Sequence, residues 1–106
     1  MQVTIKSIDQ WGKIVGAVRK SQELDQKSAG EFSGSSINTI GSFEKGSGSM
    51  SVGRVFALMK ALGLEVKIDI VLPEGDDGAK RKLIYQIQQL VSNYEWYRLG
   101  QKATGL

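Results

Sequence analysis

The sequence of 106 residues predicts a mainly α-helical protein with one strand after its fourth helix and a further helix at its carboxyl end. Three observations lead to this fold class. Apolar residues recur at helical spacing before residue 63, alternate with a period of two from residue 64, and return to helical spacing after residue 78. The stretch from Asp25 to Gly46 also has the pattern of two short helices around a tight glycine turn.

The first helix is predicted over residues 8–22. Ser7 and Gln10 form the S-x-x-Q pattern of a capping box, which marks a helix start. Apolar residues then follow at the spacing of one helix face: Ile8, Trp11, Val15 and Val18.

Two short helices are predicted next, over residues 26–32 and 36–44. Asp25 is a suitable N-cap for the first of them, and Ser36 or Ser35 for the second, because these side chains accept hydrogen bonds from free helical amides.

The turn between the short helices requires small residues. Gly30 allows a close approach, and Gly34 permits the positive φ of a sharp turn. Ile40 and Phe43 define the core face of the second helix. The opposite face is small, uncharged and mostly polar, which suits a DNA major groove; it carries Ser36, Ile37, Asn38 and Ser42.

A fourth helix is predicted over residues 52–62, after a flexible loop at 46–50. Ser51 is its N-cap and Gly63 its C-terminal glycine. Its predicted core face consists of Val52, Val55, Phe56, Leu58, Met59 and Leu62.

Residues 64–72 alternate as a half-buried strand does. An apolar strand without a strong partner in its own chain exposes an unpaired edge, and pairing with a second copy removes that edge. We therefore predict a homodimer with an interface that contains Leu64, Val66, Ile68 and Ile70.

Residues 73–78 are predicted to be a linker between the domain of residues 1–72 and a carboxy-terminal segment, 79–106. An amphipathic helix is predicted over 79–98, because its apolar residues recur at 4-3-4-3 spacing: Leu83, Ile87, Leu90, Tyr94 and Tyr97. This helix either packs within the protein or binds a partner.

The composition excludes several function classes. The chain has no Cys and no His, which excludes disulfides, zinc fingers, cysteine nucleophiles and Ser-His triads. With no nucleotide-binding loop either, we predict no enzyme and no cofactor. No apolar run is long enough for a membrane span and no signal peptide is evident, so we expect a cytoplasmic protein. The net charge of +3 lies entirely within residues 1–63, which suits phosphate contact.

Residues 8–72 resemble the lambda-repressor-like (Xre/Cro-type) DNA-binding domains. Members typically show T-Q-x-x-L-A-x-x-x-G-V-S-x-x-x-I-S-x-x-E-x-G, and this chain matches the pattern at Gln26, Gly34, Ser36, Ile40, Glu44 and Gly46. It departs from the pattern at Asp25, Ala29, Gly30, Ser35 and Gly41. Within this group, Ser51 to Ile68 (SVGRVFALMKALGLEVKI) is similar to HipB-type antitoxins.

The resemblance implies a function and a set of contacts. It implies a dimer that binds double-stranded operator DNA, represses its own toxin–antitoxin operon and binds a HipA-like kinase toxin. The implied base contacts are Gln26, Ser36, Ile37, Asn38 and Ser42. The implied phosphate contacts are Arg19, Lys20, Ser28, Thr39 and Lys45.

Two other functions fit the same sequence. The chain could be a free-standing Xre-type regulator without a toxin, or a protein-interaction module whose helix-turn-helix does not bind DNA. Gly41 and Ser35 keep the second alternative open, because they depart from the family pattern. Ile37 could belong either to the core or to the reading face.

Overall fold

The computed structural model describes residues 1–75 and 78–103, with side chains described as far as Asn93. Within this part of the chain there are five helices, as the sequence predicts: α1 (Ile8–Ser21), α2 (Gln26–Ser33), α3 (Ile37–Glu44), α4 (Val52–Ala61) and α5 (Gly78–Ala103). The chain divides into two compact units, Met1–Lys67 and Ile68–Leu106. No described helix is long and apolar enough to cross a membrane.

The N-cap predictions for α1 to α4 are confirmed, with Ser36 and not Ser35 capping α3. In each case the cap side chain accepts a hydrogen bond of 2.7–3.3 Å from the backbone amide three residues later, which satisfies one of the free amides of the first turn. The pairs are Ser7 with Gln10, Asp25 with Ser28, Ser36 with Thr39, and Ser51 with Arg54.

The turn between α2 and α3 depends on two glycines. Gly34 ends α2 with a φ of 72°, in the left-handed region that glycine adopts without strain. The amide of Ser35 donates to the carbonyl of Gly30 at 2.9 Å, and a Cβ on Gly30 would collide with the carbonyl oxygen of Ser35. The close approach that requires Gly30 is therefore with the backbone of the turn.

A second close approach joins α1 to α3, and the sequence patterns did not indicate it. A Cβ on Gly12 would collide with the backbone carbonyl of Phe43, and one on Gly16 would lie 3.2 Å from the Glu44 side chain. Both glycines are buried. They let α1 lie directly against the buried side of α3.

The core lies between these helices. Trp11 packs edge-on against Phe43, with ring centroids 6.2 Å apart and the ring planes at 73°. The buried apolar side chains come from α1 to α4, from the loop before α4 and from the C-cap of α4: Val15, Ala29, Ile40, Phe43, Met50, Val55, Leu58, Met59 and Leu62.

Three residues predicted to face the core are exposed instead. Ile8, Val52 and Phe56 have 45–67% of their surface accessible. Helix α4 packs against α2 through other side chains. Val52 and Phe56 lie four residues apart in a neighbouring row of α4, and this row therefore remains at the surface. Helical spacing identifies an apolar face but not how much of it a neighbour covers.

The predicted strand is not formed within the single chain. Residues 64–73 have no regular secondary structure, and the described part of the chain contains no strand. A strand requires a hydrogen-bonded ladder with a neighbour, and no other described segment supplies one. Leu64 packs against the core, whereas Val66, Ile68 and Ile70 are exposed.

The contact between α1 and α3 can be tested with a pair of Gly→Ala variants. Gly12→Ala should lower the free energy of unfolding by about 1–3 kcal/mol or more, because its methyl group overlaps the Phe43 carbonyl. Gly53→Ala, in open space on α4, should be neutral or stabilising by up to about 1 kcal/mol. Urea denaturation measures both. Equal effects would contradict the close approach.

Ser35 offers a test in the opposite direction. Its Oγ is buried and has no hydrogen-bond partner among the described residues. Because a buried hydroxyl without a partner costs about 1–3 kcal/mol, Ser35→Val should raise the midpoint of thermal unfolding. Ser49→Val, at an exposed position, is the control. A lower midpoint for Ser35→Val would show that the hydroxyl is satisfied in solution.

Candidate nucleic-acid interface

The two sides of α3 differ sharply in exposure. Ile40 and Phe43 are buried, while Ser36, Asn38 and Ser42 are exposed on the other side. Ile37 is 48% exposed, so it belongs to the surface and not to the core. The face predicted to read bases is therefore accessible and uncharged.

Thr39 lies at the edge of this face and is half-buried. Its hydroxyl and that of Ser36 are 2.9 Å apart and share a hydrogen bond. The Ser36 hydroxyl also accepts from the Thr39 amide at 3.1 Å. These two residues are thus linked in the first turn of α3, at the end where DNA-reading helices commonly contact bases.

The start of α2 reaches across α3 through one side chain. Gln26 lies over Gly41, where an added Cβ would be 3.5 Å from the Gln26 Oε1. Its Nε2 donates to Glu44 Oε1 at 3.2 Å. Because a carboxylate only accepts hydrogen bonds, this contact fixes which end of the amide points to Glu44. No described residue forms a hydrogen bond with the Gln26 Oε1 or with its second N–H, so both can bind another partner.

Arg19 is not a surface residue, so the prediction that it contacts phosphate is corrected. Its Nε and Nη2 donate to the Glu44 carboxylate at 2.6 and 2.8 Å, and its Nη1 donates to the carbonyl of Leu24 at 2.7 Å. The Arg19 and Glu44 side chains are only 7% and 9% exposed. This bidentate pair joins α1 to α3 and holds the acceptor used by Gln26.

The electrostatics of the pair follow from these contacts. Burial by itself raises the pKa of Glu44, but the hydrogen bonds from Arg19 and Gln26 and the charges of Arg19 and Lys20 outweigh it, so the pKa lies below the ordinary value of 4.5. The hydrogen bond to Glu44 raises the pKa of Arg19. Both groups are charged at neutral pH.

The other predicted phosphate contacts have mixed environments. Lys20 and Lys45 are exposed, and Ser28 is half-buried in the first turn of α2. Lys27, exposed between Gln26 and Ser28, was not among the predicted contacts. Lys27 directly follows Gln26, which matches the family pattern, and this position could have identified Lys27 as a phosphate contact.

The comparison with known families identifies the family of the domain that carries this surface. A family model described as helix-turn-helix, of the lambda-repressor-like (Xre) type, matches residues 15–68, about half of the chain. The chain belongs to this helix-turn-helix family. No curated protein matches the chain.

The extent of the match separates the two parts of the protein. It includes the helix-turn-helix of α2 and α3, the Arg19–Glu44 pair and all of α4, but it ends before α5. Membership in the helix-turn-helix family indicates a DNA-binding transcription regulator. The family match does not identify the chain as a member of the HipB-type subgroup.

The pH dependence of stability tests the buried pair. A lowered pKa in the folded state stabilises the protein at pH values above the unfolded value of about 4.5, and this contribution is lost as the pH falls through the folded pKa. At pH 7, Glu44→Gln should therefore reduce the free energy of unfolding by about 1.5–3 kcal/mol, the range for hydrogen bonds to charged groups.

The difference between wild type and Glu44→Gln should shrink below about pH 4.5. Chemical denaturation at several pH values measures it, and taking the difference removes the similar contribution of Asp25, whose pKa is lowered mainly by the Ser28 backbone hydrogen bond. Glu31→Gln, at an exposed position of α2, is the control. A difference independent of pH would show that Glu44 is not ionised in the folded protein.

Proposed function

We propose that this protein is a homodimeric transcriptional repressor that places α3 in the major groove of its operator, and that it serves as the antitoxin of a HipBA-like operon that it represses itself. The observation that carries the DNA-binding part is the exposed, uncharged face of α3, at Ser36, Ile37, Asn38 and Ser42. The face lies opposite a fully buried row, in a chain of the helix-turn-helix family.

The proposed base contacts follow from the chemistry of each side chain. The Asn38 amide can pair with the N6 and N7 positions of adenine, and Ile37 can contact a thymine methyl group. Gln26, oriented by Glu44, presents its free Oε1 and N–H with the donor–acceptor pattern that also fits adenine. Ser36 and Ser42 add hydroxyls that can donate or accept.

Phosphate contacts supply most of the affinity in this proposal. Among the phosphate contacts predicted from the sequence, Lys20 and Lys45 are exposed cations, and Ser28 and Thr39 are neutral donors. Lys27 is a further exposed cation, and we add it because it lies between Gln26 and Ser28. Neutralisation of phosphates releases counterions, so the affinity should fall steeply with salt. Repression would result from occlusion of a promoter that overlaps the operator.

The proposed dimer uses residues 64–72. Val66, Ile68 and Ile70 are exposed, with Ile68 81% accessible, and this segment has no ladder partner within the described chain. Pairing with the same segment of a second copy would satisfy its backbone groups and cover these side chains. Two recognition helices related by a two-fold axis would then read two half-sites.

The antitoxin role rests on the similarity of Ser51 to Ile68 to HipB-type proteins. The proposed toxin is a HipA-like serine/threonine kinase. If this role is correct, a kinase-like reading frame lies beside the gene, and coexpression of this chain relieves growth arrest by that kinase. If coexpression relieves the growth arrest but no operator lies beside the gene, the kinase is a toxin partner and autorepression is not supported. Absence of any such frame would favour a free-standing regulator.

Operator binding can be tested by titration against the DNA upstream of the gene, with a scrambled duplex as control. Asn38→Ala should raise the Kd for the operator about 5- to 150-fold, which corresponds to about 1–3 kcal/mol for one bidentate base contact. Gln88→Ala removes a similar amide from an exposed position of α5 and should leave the Kd unchanged.

The same titration at two salt concentrations separates phosphate contacts from base contacts. Lys45→Ala should weaken binding to both duplexes and reduce the slope of log K against log salt by about one. If wild type binds both duplexes equally and weakly, the repressor proposal is wrong. In that case a protein-interaction role would gain support.

A further inference from the structure

Both carboxylate oxygens of Glu44 are engaged by neighbouring side chains. Its Oε2 accepts from Arg19 Nε at 2.6 Å, and its Oε1 accepts from Arg19 Nη2 at 2.8 Å and from Gln26 Nε2 at 3.2 Å. A guanidinium only donates hydrogen bonds, so it needs an acceptor at both oxygens, and an ionised carboxylate provides one at each. Glu44 therefore has no N–H or O–H group to offer to Gln26.

This contact decides which way the amide of Gln26 faces. An amide carries an accepting oxygen and a donating NH₂ group, and a half-turn of the side chain exchanges them. Because Glu44 can only accept, the NH₂ group of Gln26 faces Glu44 and the Oε1 faces away. The Oε1 lies beside Gly41, 3.5 Å from where a Cβ would be. Gly41 is next to Ser42 and one turn after Asn38, so the Oε1 lies beside the exposed face of α3.

An outward carbonyl oxygen distinguishes the bases in the major groove. It needs a donor, which adenine supplies at N6 and cytosine at N4. Adenine also has an acceptor at N7 for the second N–H of Gln26, so it satisfies both groups. Guanine and thymine instead present the acceptors O6 and O4, which leave the Gln26 Oε1 without a donor. The orientation set by Glu44 thus favours adenine.

We propose that Glu44, held in place by Arg19, is a positioning residue that makes Gln26 select adenine and reject guanine and thymine. The proposal rests on the function proposed above, because it requires Gln26 to lie at a base edge. It gives the buried pair a role in sequence specificity, although neither Arg19 nor Glu44 touches the DNA. A pair needed only for folding would have no effect on the preference for one base.

The wild-type preference is the first test. Selection of bound duplexes from a randomised double-stranded DNA library measures the preference at every position of the site. Gln26→Met keeps a side chain of similar length without the amide and leaves the Arg19–Glu44 pair intact. It should remove the preference at one base pair of each half-site, which identifies the pair that Gln26 reads. At that pair, wild type should prefer adenine to guanine or thymine by about 5- to 150-fold, the discrimination of one bidentate contact.

Glu44→Gln tests the positioning itself. The new amide has only one accepting oxygen, and when that oxygen stays on Arg19 its NH₂ group faces Gln26. The Gln26 amide then turns over and presents N–H groups to the base. The preference for adenine should fall to about threefold or less, or change to guanine, while the pair read by Asn38 keeps its preference. Glu31→Gln, the same change at an exposed position of α2, should alter neither.

A double variant separates positioning from a disturbance of the fold. In the Gln26→Met background, Glu44→Gln should change no base preference further, because the amide through which Glu44 acts is gone. A displaced α3 would instead change several preferences in both backgrounds. Circular dichroism verifies that each variant is folded under the selection conditions, and if Glu44→Gln does not fold, the wild-type preference decides.

The possible results separate this proposal from the repressor proposal. A wild type that prefers guanine or thymine at the pair read by Gln26 would overturn the positioning role alone. So would an unchanged adenine preference in folded Glu44→Gln, the same shift in the Gln26→Met background, or a selected motif in which no position depends on Gln26. If wild type selects no common motif, the repressor proposal fails and this inference fails with it.

Discussion

The ion pair between Arg19 and Glu44 is the interaction on which the DNA-binding unit depends. It joins α1 to α3 through two short hydrogen bonds, and the same guanidinium holds the carbonyl of Leu24 just before α2. A buried carboxylate without a partner is costly, and so is a buried guanidinium, so each requires the other in place. The pair therefore fixes the position of α3 relative to α1 as well as neutralising two charges.

The same pair also fixes the position of the exposed face of α3. Glu44 also accepts from Gln26, so one carboxylate connects the end of α3 with the start of α2. Gln26 lies against α3 at Gly41, where an added Cβ would make an ordinary contact of 3.5 Å with the Gln26 Oε1. The exposed side of α3 remains free of charge, as the proposed separation of base contacts from phosphate contacts requires.

The remaining stability of the unit comes from close packing with few large side chains. Gly12, Gly16 and Gly30 each lie where a methyl group would press on a neighbouring backbone or side chain. Close approach of helices compensates for a small core, since contacts between well-packed atoms accumulate. The buried hydroxyl of Ser35, which has no hydrogen-bond partner among the described residues, is a cost within this arrangement. The described core residues all lie before Lys67, and beyond it Tyr85, Leu90 and Val91 of α5 are exposed.

The sequence by itself determined the five helices, the N-caps of α1, α2 and α4, the glycine turn and the helix-turn-helix family. These depend on interactions between residues three or four positions apart, or on the backbone freedom of one glycine, and such information is local. Only the tertiary structure decided that Arg19 is buried, that Gly12 contacts Phe43, and that Val52 and Phe56 stay exposed. Those outcomes depend on which surfaces meet, and helical spacing does not contain that information. For the same reason, the alternation of residues 64–72 identified a segment able to form a strand, but a strand forms only where a partner supplies the ladder.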